Sequence, residues 1–127
     1  MTERARSERR VLIVDDQPLF RAVARSVVSL LDGWEVVAES DSGEAAIVAA
    51  QRLRPDTVVM DINLPGISGI DATRQILAAL PEARVVLVST YAPDDLPADA
   101  LSSGARGYLR KEEMTPRALH DAVFASA

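Results

Sequence analysis

The sequence lacks cysteine entirely, which excludes disulfides, thiolate metal sites and cysteine nucleophiles. It also has no apolar run that approaches the roughly 18–20 residues of a membrane-spanning helix. The first apolar run, Val11–Val14, follows a charged segment and is much shorter than the core of a secretory signal peptide. We therefore expect a cytoplasmic protein without a membrane segment.

Basic residues are too few to suggest nucleic-acid binding by this chain alone. The 14 Lys and Arg are outnumbered by 19 Asp and Glu, which gives a formal net charge of −5. A domain that binds nucleic acid usually shows a strongly basic face. The length of 127 residues suits one domain, and no internal repeat or linker is visible. We predict a single domain over residues 1–127, with a charged leader at residues 1–9.

Short apolar runs alternate with segments of helical periodicity along the chain. Most of the runs are β-branched and nearly uninterrupted, which is typical of parallel strands covered on both faces. The pattern predicts the α/β class, with a (βα)5 parallel sheet and helices on both faces. Pro97 falls early in the fourth helical segment, so that helix is expected to be short or to begin there. The five runs are Val11–Val14, Trp34–Ala38, Thr57–Met60, Val85–Val88 and Tyr108–Leu109.

Residues with reactive side chains follow four of these predicted strands. Asp15 and Asp16 follow the first, Asp61 the third, Ser89 ends the fourth and Lys111 follows the fifth. Taken singly, each has an ordinary explanation, such as a helix cap, a turn or a solvated surface charge. Parallel strands, however, bring their carboxyl ends to one edge, where crowded carboxylates repel each other unless a cation joins them.

The residue types at this edge favour magnesium and phosphate chemistry. Oxygen ligands without histidine or cysteine are those that Mg²⁺ prefers. Asp15, Asp16 and Asp61 are the predicted metal ligands. An ion held by them would leave room for a phosphoryl group, with Asp61 as the nucleophile that forms an aspartyl phosphate. Lys111, the single lysine of the chain, would neutralise charge on the transferring group.

Four segments together make the sequence resemble the response regulator receiver domains of two-component signalling. The likeness covers residues 10–127 and is greatest to the NarL/FixJ-type subfamily, whose members usually also contain a helix-turn-helix DNA-binding domain. It implies a doubly wound, flavodoxin-like fold with strand order 2-1-3-4-5. The segments are VLIVDDQPLFR, VVMDINLPGISGID, VVLVST and GARGYLRK.

The resemblance also implies roles for individual residues. Asp61 would accept phosphate from a sensor histidine kinase, and Asn63 would add its backbone carbonyl to the Mg²⁺ ligands. Ser89 would hydrogen-bond the phosphoryl group, and Lys111 would pair with it. Tyr108 would turn inward as Ser89 moves, and this would change the face formed by the fourth helical segment, the fifth strand and the last helix.

Further expectations concern output and lifetime. We expect a switch and not a turnover enzyme, although it assists its own phosphorylation and dephosphorylation. A homodimer is one expected partner state, and DNA would be reached only through an output domain that these residues do not include. Thr90 and Tyr91 are bulkier than is common after the switch hydroxyl, so we hypothesise slow self-dephosphorylation.

Three alternatives remain open at this point. A stand-alone receiver would act by protein contact alone. A Mg²⁺-dependent aspartyl phosphohydrolase would need an acid/base carboxylate two residues beyond Asp61, where the sequence has Asn63. A flavodoxin-like FMN protein would need a phosphate-binding loop after the first strand, where Asp15 and Asp16 would repel phosphate.

Overall fold

The five apolar runs each form a strand of one parallel sheet in the computed structural model, which describes residues 8–125. The strand order is β2-β1-β3-β4-β5, so the predicted topology is confirmed. The central strands β1 and β3 are buried along nearly their whole length, as expected for strands covered on both faces. The strands are β1 (Arg9–Val14), β2 (Trp34–Ser40), β3 (Thr57–Asp61), β4 (Arg84–Ser89) and β5 (Gly107–Arg110).

Local capping residues determine where three of the four α-helices within residues 8–125 begin. Ser42, Ser68 and Thr115 each accept a hydrogen bond from the backbone N–H three residues later, which satisfies a donor that the first helical turn leaves unpaired. The first helix has no side-chain cap and begins at a proline. The helices are α1 (Pro18–Ser29), α2 (Gly43–Leu53), α3 (Gly69–Ala79) and α4 (Pro116–Val123).

Two apolar clusters lie on the opposite faces of the sheet. One lies beneath α2 and α3, and the other lies beneath α1 and α4. The alternating side chains of β1 divide between them, with Leu12 and Val14 on one face and Val11 and Ile13 on the other. The residues at the carboxyl edge of the sheet therefore follow strands that are packed on both faces.

The fourth connection differs from the (βα)5 expectation. No α-helix forms between β4 and β5 in the described chain; two 3₁₀ turns, Pro93–Asp95 and Ala98–Ala100, take its place. Pro97 precedes the second turn, close to where the sequence predicted a short helix to begin. A proline lacks the N–H that an α-helix needs in its interior, and Gly104, at φ 97°, ends the segment in a left-handed conformation.

The ends of the chain add two further observations. The predicted leader, residues 1–9, lies outside the described residues up to residue 7, and Arg9 already begins β1. The ring centres of Trp34 and Phe124 lie 6.3 Å apart, and both rings pack against His120. Within residues 8–125, no helix is long and apolar enough to cross a membrane.

Candidate functional site

Three carboxylates meet at the carboxyl edge of the sheet. Asp15 directly follows β1, Asp16 comes next, and Asp61 is the last residue of β3. One oxygen of each carboxylate lies within 4.8 Å of the others. Asp15 and Asp61 are buried, whereas Asp16 is exposed to solvent. The cluster is therefore fixed at its base and accessible from one side.

Lys111 reaches this cluster from the end of β5. Its ammonium Nζ lies 2.7 Å from Asp15 Oδ2 and 3.4 Å from Asp61 Oδ2. The same Nζ donates to Gln17 Oε1 at 3.1 Å and lies 4.8 Å from the centre of the Phe20 ring. The contact with Asp15 Oδ2 is an ion pair without the angle of a directed hydrogen bond. Counted formally as three carboxylates and one ammonium, the cluster carries a charge of −2.

The pKa of Asp61 is shifted by its burial and by the charges around it. Burial and, as the second cause, the nearby negative charge of Asp15 raise this pKa from 3.8 to about 6. Lys111 and the backbone N–H of Asn63 act in the opposite direction but do not compensate fully. The metal-free site is therefore short of positive charge.

Backbone N–H groups hold two of the carboxylates in place. Gln17 N–H donates to Asp15 Oδ1 at 2.8 Å, and Asn63 N–H donates to Asp61 Oδ1 at 3.2 Å. In both cases the chain turns directly after the strand, so that the N–H two residues later points back at the carboxylate. These bonds leave the second oxygen of each carboxylate directed toward Lys111.

Ser89 and Tyr108 lie together beside the acidic cluster. Ser89 is buried, and its Oγ lies 2.9 Å from the Tyr108 hydroxyl and accepts from Tyr91 N–H at 3.0 Å. The Tyr108 hydroxyl in turn donates to the carbonyl of Tyr91. Among the described residues, the hydrogen bonds of the Ser89 hydroxyl are made with these two tyrosines and not with the carboxylates.

A cleft of about 210 Å³ opens above the carboxylates. Tyr91 reaches toward this cleft, and its hydroxyl donates to Asn63 Oδ1 at 3.4 Å. Sequence reasoning did not identify Gln17 as part of the site, and the only signal for it was its position next to Asp16. The residues that line the cleft are Asp16, Gln17, Asp61, Asn63, Thr90 and Lys111.

A larger cleft of about 440 Å³ lies at the opposite, amino-terminal edge of the sheet. It is lined by residues such as Arg9 at the start of β1 and Arg84 at the start of β4. None of the residues predicted for the acidic site lines it. Ligands of open parallel sheets bind beyond the carboxyl ends of the strands, so the smaller cleft is the candidate site.

The acidic residues fit a divalent cation. Their oxygens are close enough to share one ion, the cluster retains a negative charge despite Lys111, and a buried carboxylate has a raised pKa. Carboxylate oxygens without nitrogen or sulfur ligands suit Mg²⁺, which keeps several of its waters. Asp15, Asp16 and Asp61 are the residues that would hold it.

Comparison with known proteins gives a consistent result. The model of the response regulator receiver domain matches residues 11–124. The response regulator GacA of Pseudomonas viridiflava is 42% identical over 102 residues, which cover 80% of this chain and 48% of the relative. The transcriptional regulatory protein DegU of Brevibacillus brevis is 35% identical over 113 residues, covering 89% of this chain and 48% of the relative. The chain thus spans about half the length of these curated relatives.

Solved structures give the same picture. A two-component response regulator of the LuxR family from Aurantimonas sp. SI85-9A1 superposes with a TM-score of 0.81 at 34% identity. The superposition covers 91% of this chain and 81% of that one. Together with the sequence relatives, this confirms the predicted resemblance and its NarL/FixJ-type character.

Proposed function

This chain belongs to the response regulator receiver domain family, and from that premise we propose that it is a phosphorylation-controlled switch with Asp61 as its phosphoacceptor. The proposal is supported by one observation above all. Asp15, Asp16, Asp61 and Lys111, which are separated along the sequence, meet around one cleft. A phosphoryl-transfer site needs this combination of a nucleophile, oxygen ligands and a cation.

The reaction follows from the positions of these groups. An Asp61 oxygen attacks the phosphorus of a phosphohistidine on a sensor kinase. The O–P bond forms as the P–N bond breaks, and the departing imidazole takes a proton from solvent. Bound Mg²⁺ would neutralise negative charge on the phosphoryl oxygens. Lys111 would leave its contact with Asp15 or Asp61 to pair with the phosphoryl group, since its Nζ lies within 3.4 Å of both.

The ligands of the ion follow the family pattern. Asp15 and Asp16 would hold Mg²⁺ together with an oxygen of Asp61, and Asn63 would add its backbone carbonyl. Asn63 lines the cleft, and its N–H bond to Asp61 holds the two residues in a tight turn. The chemistry is stoichiometric: the chain accepts one phosphoryl group and is not a turnover enzyme.

The switch depends on competition for the Ser89 hydroxyl. In the structure this hydroxyl is bonded to Tyr108 and Tyr91. A phosphoryl group on Asp61 offers strong acceptor oxygens, which would draw Ser89 toward the cleft. The Tyr108 hydroxyl and the Tyr91 N–H would then lose Ser89 as a partner and rearrange. This would change the face formed by β5, α4 and the fourth connection.

The partners follow from the phosphoryl donor and from the relatives. A protein donor must dock beside the cleft, where α1 begins; exposed apolar side chains extend from there along the helix, Leu19 and Val23 on α1 and Leu30 just after its end. The names of the relatives indicate transcriptional regulation, so we propose that output passes through a DNA-binding domain outside these residues, with a homodimer as one signalling state. We also propose that the chain acts in the cytoplasm, where a sensor kinase would phosphorylate it.

Intact mass spectrometry tests the assignment. After incubation with Mg²⁺ and acetyl phosphate, the wild-type chain should gain the mass of one phosphoryl group. The gain should be absent in Asp61→Ala and after chelation of Mg²⁺, and it should persist in His120→Ala, which removes the only histidine. A gain that persists in Asp61→Ala would overturn the proposal.

A further inference from the structure

Arg21 of α1 does not line the acidic cleft, but it contacts the backbone of Asp15. Its guanidinium Nη1 donates to the backbone carbonyl of Asp15 at 2.7 Å. On its other edge, Nε lies 3.3 Å from Glu39 Oε1 on β2. The side chain is only 21% exposed, so both contacts are shielded from solvent.

These contacts fix the peptide group between the two acidic residues that follow β1. The Asp15 N–H donates to the Ser40 carbonyl at 3.0 Å, and the Asp15 carboxylate accepts from Gln17 N–H. With Arg21 on its carbonyl, every polar backbone group of Asp15 has a partner. The direction in which the chain enters Asp16 is therefore set by Arg21.

Such a restraint is needed because the carboxylates repel each other. Without Arg21, the turn that contains Asp15 and Asp16 could relax away from Asp61 and lower the repulsion. The positive charge of Arg21 would by itself disfavour a cation nearby, and Glu39, which also pairs with Arg25, offsets only part of it. What Arg21 offers the site is therefore a directed donor to the Asp15 carbonyl.

We propose that Arg21 is a positioning residue for the divalent cation site: it holds the Asp15–Asp16 turn in the arrangement that binds Mg²⁺. The inference rests on the proposed function, since it concerns the same ion. The groups that orient metal ligands typically change metal affinity by about 10- to 100-fold when they are removed.

Arg25 provides a matched control on the same helix. Arg25 Nη1 lies 2.5 Å from Glu39 Oε2, so Arg25 shares the anionic partner of Arg21 but has no bond to Asp15 among the described contacts. Both arginines join α1 to β2. Only Arg21 touches the backbone of the metal site.

The test measures Mg²⁺ binding in Arg21→Lys, Arg21→Met and Arg25→Met, taken from the rise in Tm with Mg²⁺ concentration relative to each metal-free protein. We expect the Kd to rise about tenfold in both Arg21 variants and to stay within about twofold of wild type in Arg25→Met. Lysine keeps the charge but loses the planar fork that spans two acceptors. Hydrogen exchange of the Gln17 amide in metal-free protein should accelerate in the Arg21 variants alone.

Each competing explanation gives a different result. If Arg21 acts only through its charge, Arg21→Met should bind Mg²⁺ more tightly and Arg21→Lys should match wild type. If it only fastens α1 to β2, the metal-free Tm should fall in all three variants while the Kd stays constant. Either result would overturn the inference. A wild-type Tm that does not respond to Mg²⁺ would instead overturn the proposed metal site, and Gln17 exchange would still decide whether Arg21 orders the turn.

Discussion

Burial and a neighbouring negative charge both disfavour the ionised form of Asp61, which is the form that can act as a nucleophile. Its pKa of about 6 exceeds the ordinary value of 3.8 because burial and Asp15 disfavour its charged form. A nucleophilic carboxylate must be ionised, so near neutral pH the metal-free fold bears the cost of that ionisation. The difference between the two values corresponds to about 3 kcal/mol. A bound cation would offset this cost.

This cost predicts how Asp61→Asn changes stability with pH. A folded-state pKa above the unfolded value adds stability below pH 3.8, and that stability is lost as pH rises through about 6. In EDTA, Asp61→Asn should therefore be more stable than wild type at pH 8 by about 1–3 kcal/mol, with the difference shrinking toward pH 4. Urea unfolding of both proteins across this range measures the difference, since other titrating groups cancel. A difference that does not vary with pH would contradict the expectation.

Tyr91 lies where it can shield a phosphoryl group on Asp61 from water. Its hydroxyl donates to Asn63 Oδ1 at 3.4 Å. Its backbone N–H donates to Ser89, and its carbonyl accepts from Tyr108; neither bond involves the Tyr91 side chain. Tyr91→Ala should shorten the half-life of the phosphorylated chain several-fold while leaving the backbone bonds in place. Loss of phosphate can be followed by intact mass after removal of the donor. Tyr91→Phe separates shielding by the ring from the hydrogen bond of the hydroxyl to Asn63, because it keeps the ring and removes the hydroxyl. An unchanged half-life in Tyr91→Ala would refute shielding.

At the scale of elements, the junction of β3 and α3 determines where the Asp61 loop lies. A Cβ atom on Gly69 would come within 1.9 Å of the Asp61 carbonyl oxygen, and Gly69 N–H donates to the Ile62 carbonyl at 2.8 Å. Gly43, which begins α2 as Gly69 begins α3, is also crowded, but its neighbour is the Ile67 side chain at 2.7 Å. A side chain can turn away more easily than a backbone carbonyl.

Two alanine substitutions test this difference. Gly69→Ala should destabilise the fold by about 2–3 kcal/mol or more and weaken Mg²⁺ binding, because α3 must move away from β3. Gly43→Ala should cost clearly less, since Ile67 can repack and the loss of glycine lowers the entropy of the unfolded chain. Chemical unfolding of both variants provides the measurement. Equal losses would mean that the contact with Asp61 can be relieved without moving α3.

The sequence predicted the elements whose signals are local. Apolar runs, most of them β-branched, located the five strands, and Ser68 and Thr115 located helix starts, because capping acts within one turn. The fourth connection was predicted less well, since its helical pattern continues across Pro97, which cannot donate the backbone hydrogen bond that the interior of one continuous α-helix requires. Periodicity records which side chains face the core and does not record whether the backbone can form each bond.

The same distinction applies to the site. Asp15, Asp61 and Lys111 could be placed together from the sequence because strand order alone brings their positions to one edge. The contacts of Arg21 with Asp15 and Glu39, and of Tyr91 with Asn63, depend on side-chain length and helix rotation. No spacing in the sequence encodes them. Long-range contacts made by flexible side chains are therefore the part of the site that only the three-dimensional structure shows.

At the scale of the whole molecule, the acidic cleft and an apolar stripe lie side by side. Leu19, the second residue of α1, is 80% exposed and lies two residues after Gln17 of the cleft; Val23 and then Leu30, which follows the helix, continue the stripe. Exposed apolar side chains that share a helix face often mark a protein interface. A small phosphodonor needs only the cleft, whereas a kinase must also bind the surface around it.

Leu19→Ser separates these two requirements. Phosphotransfer from a purified histidine kinase that phosphorylates the wild-type chain should slow by about tenfold, equivalent to about 1.4 kcal/mol of lost docking energy. Phosphorylation by acetyl phosphate should keep its wild-type rate, because Leu19 does not line the cleft. Leu101→Ser is the matched control: Leu101 is 81% exposed but lies on the fourth connection. If both variants slow the kinase reaction equally, exposure of leucine and not the position of the stripe determines docking, and α1 is not the docking surface.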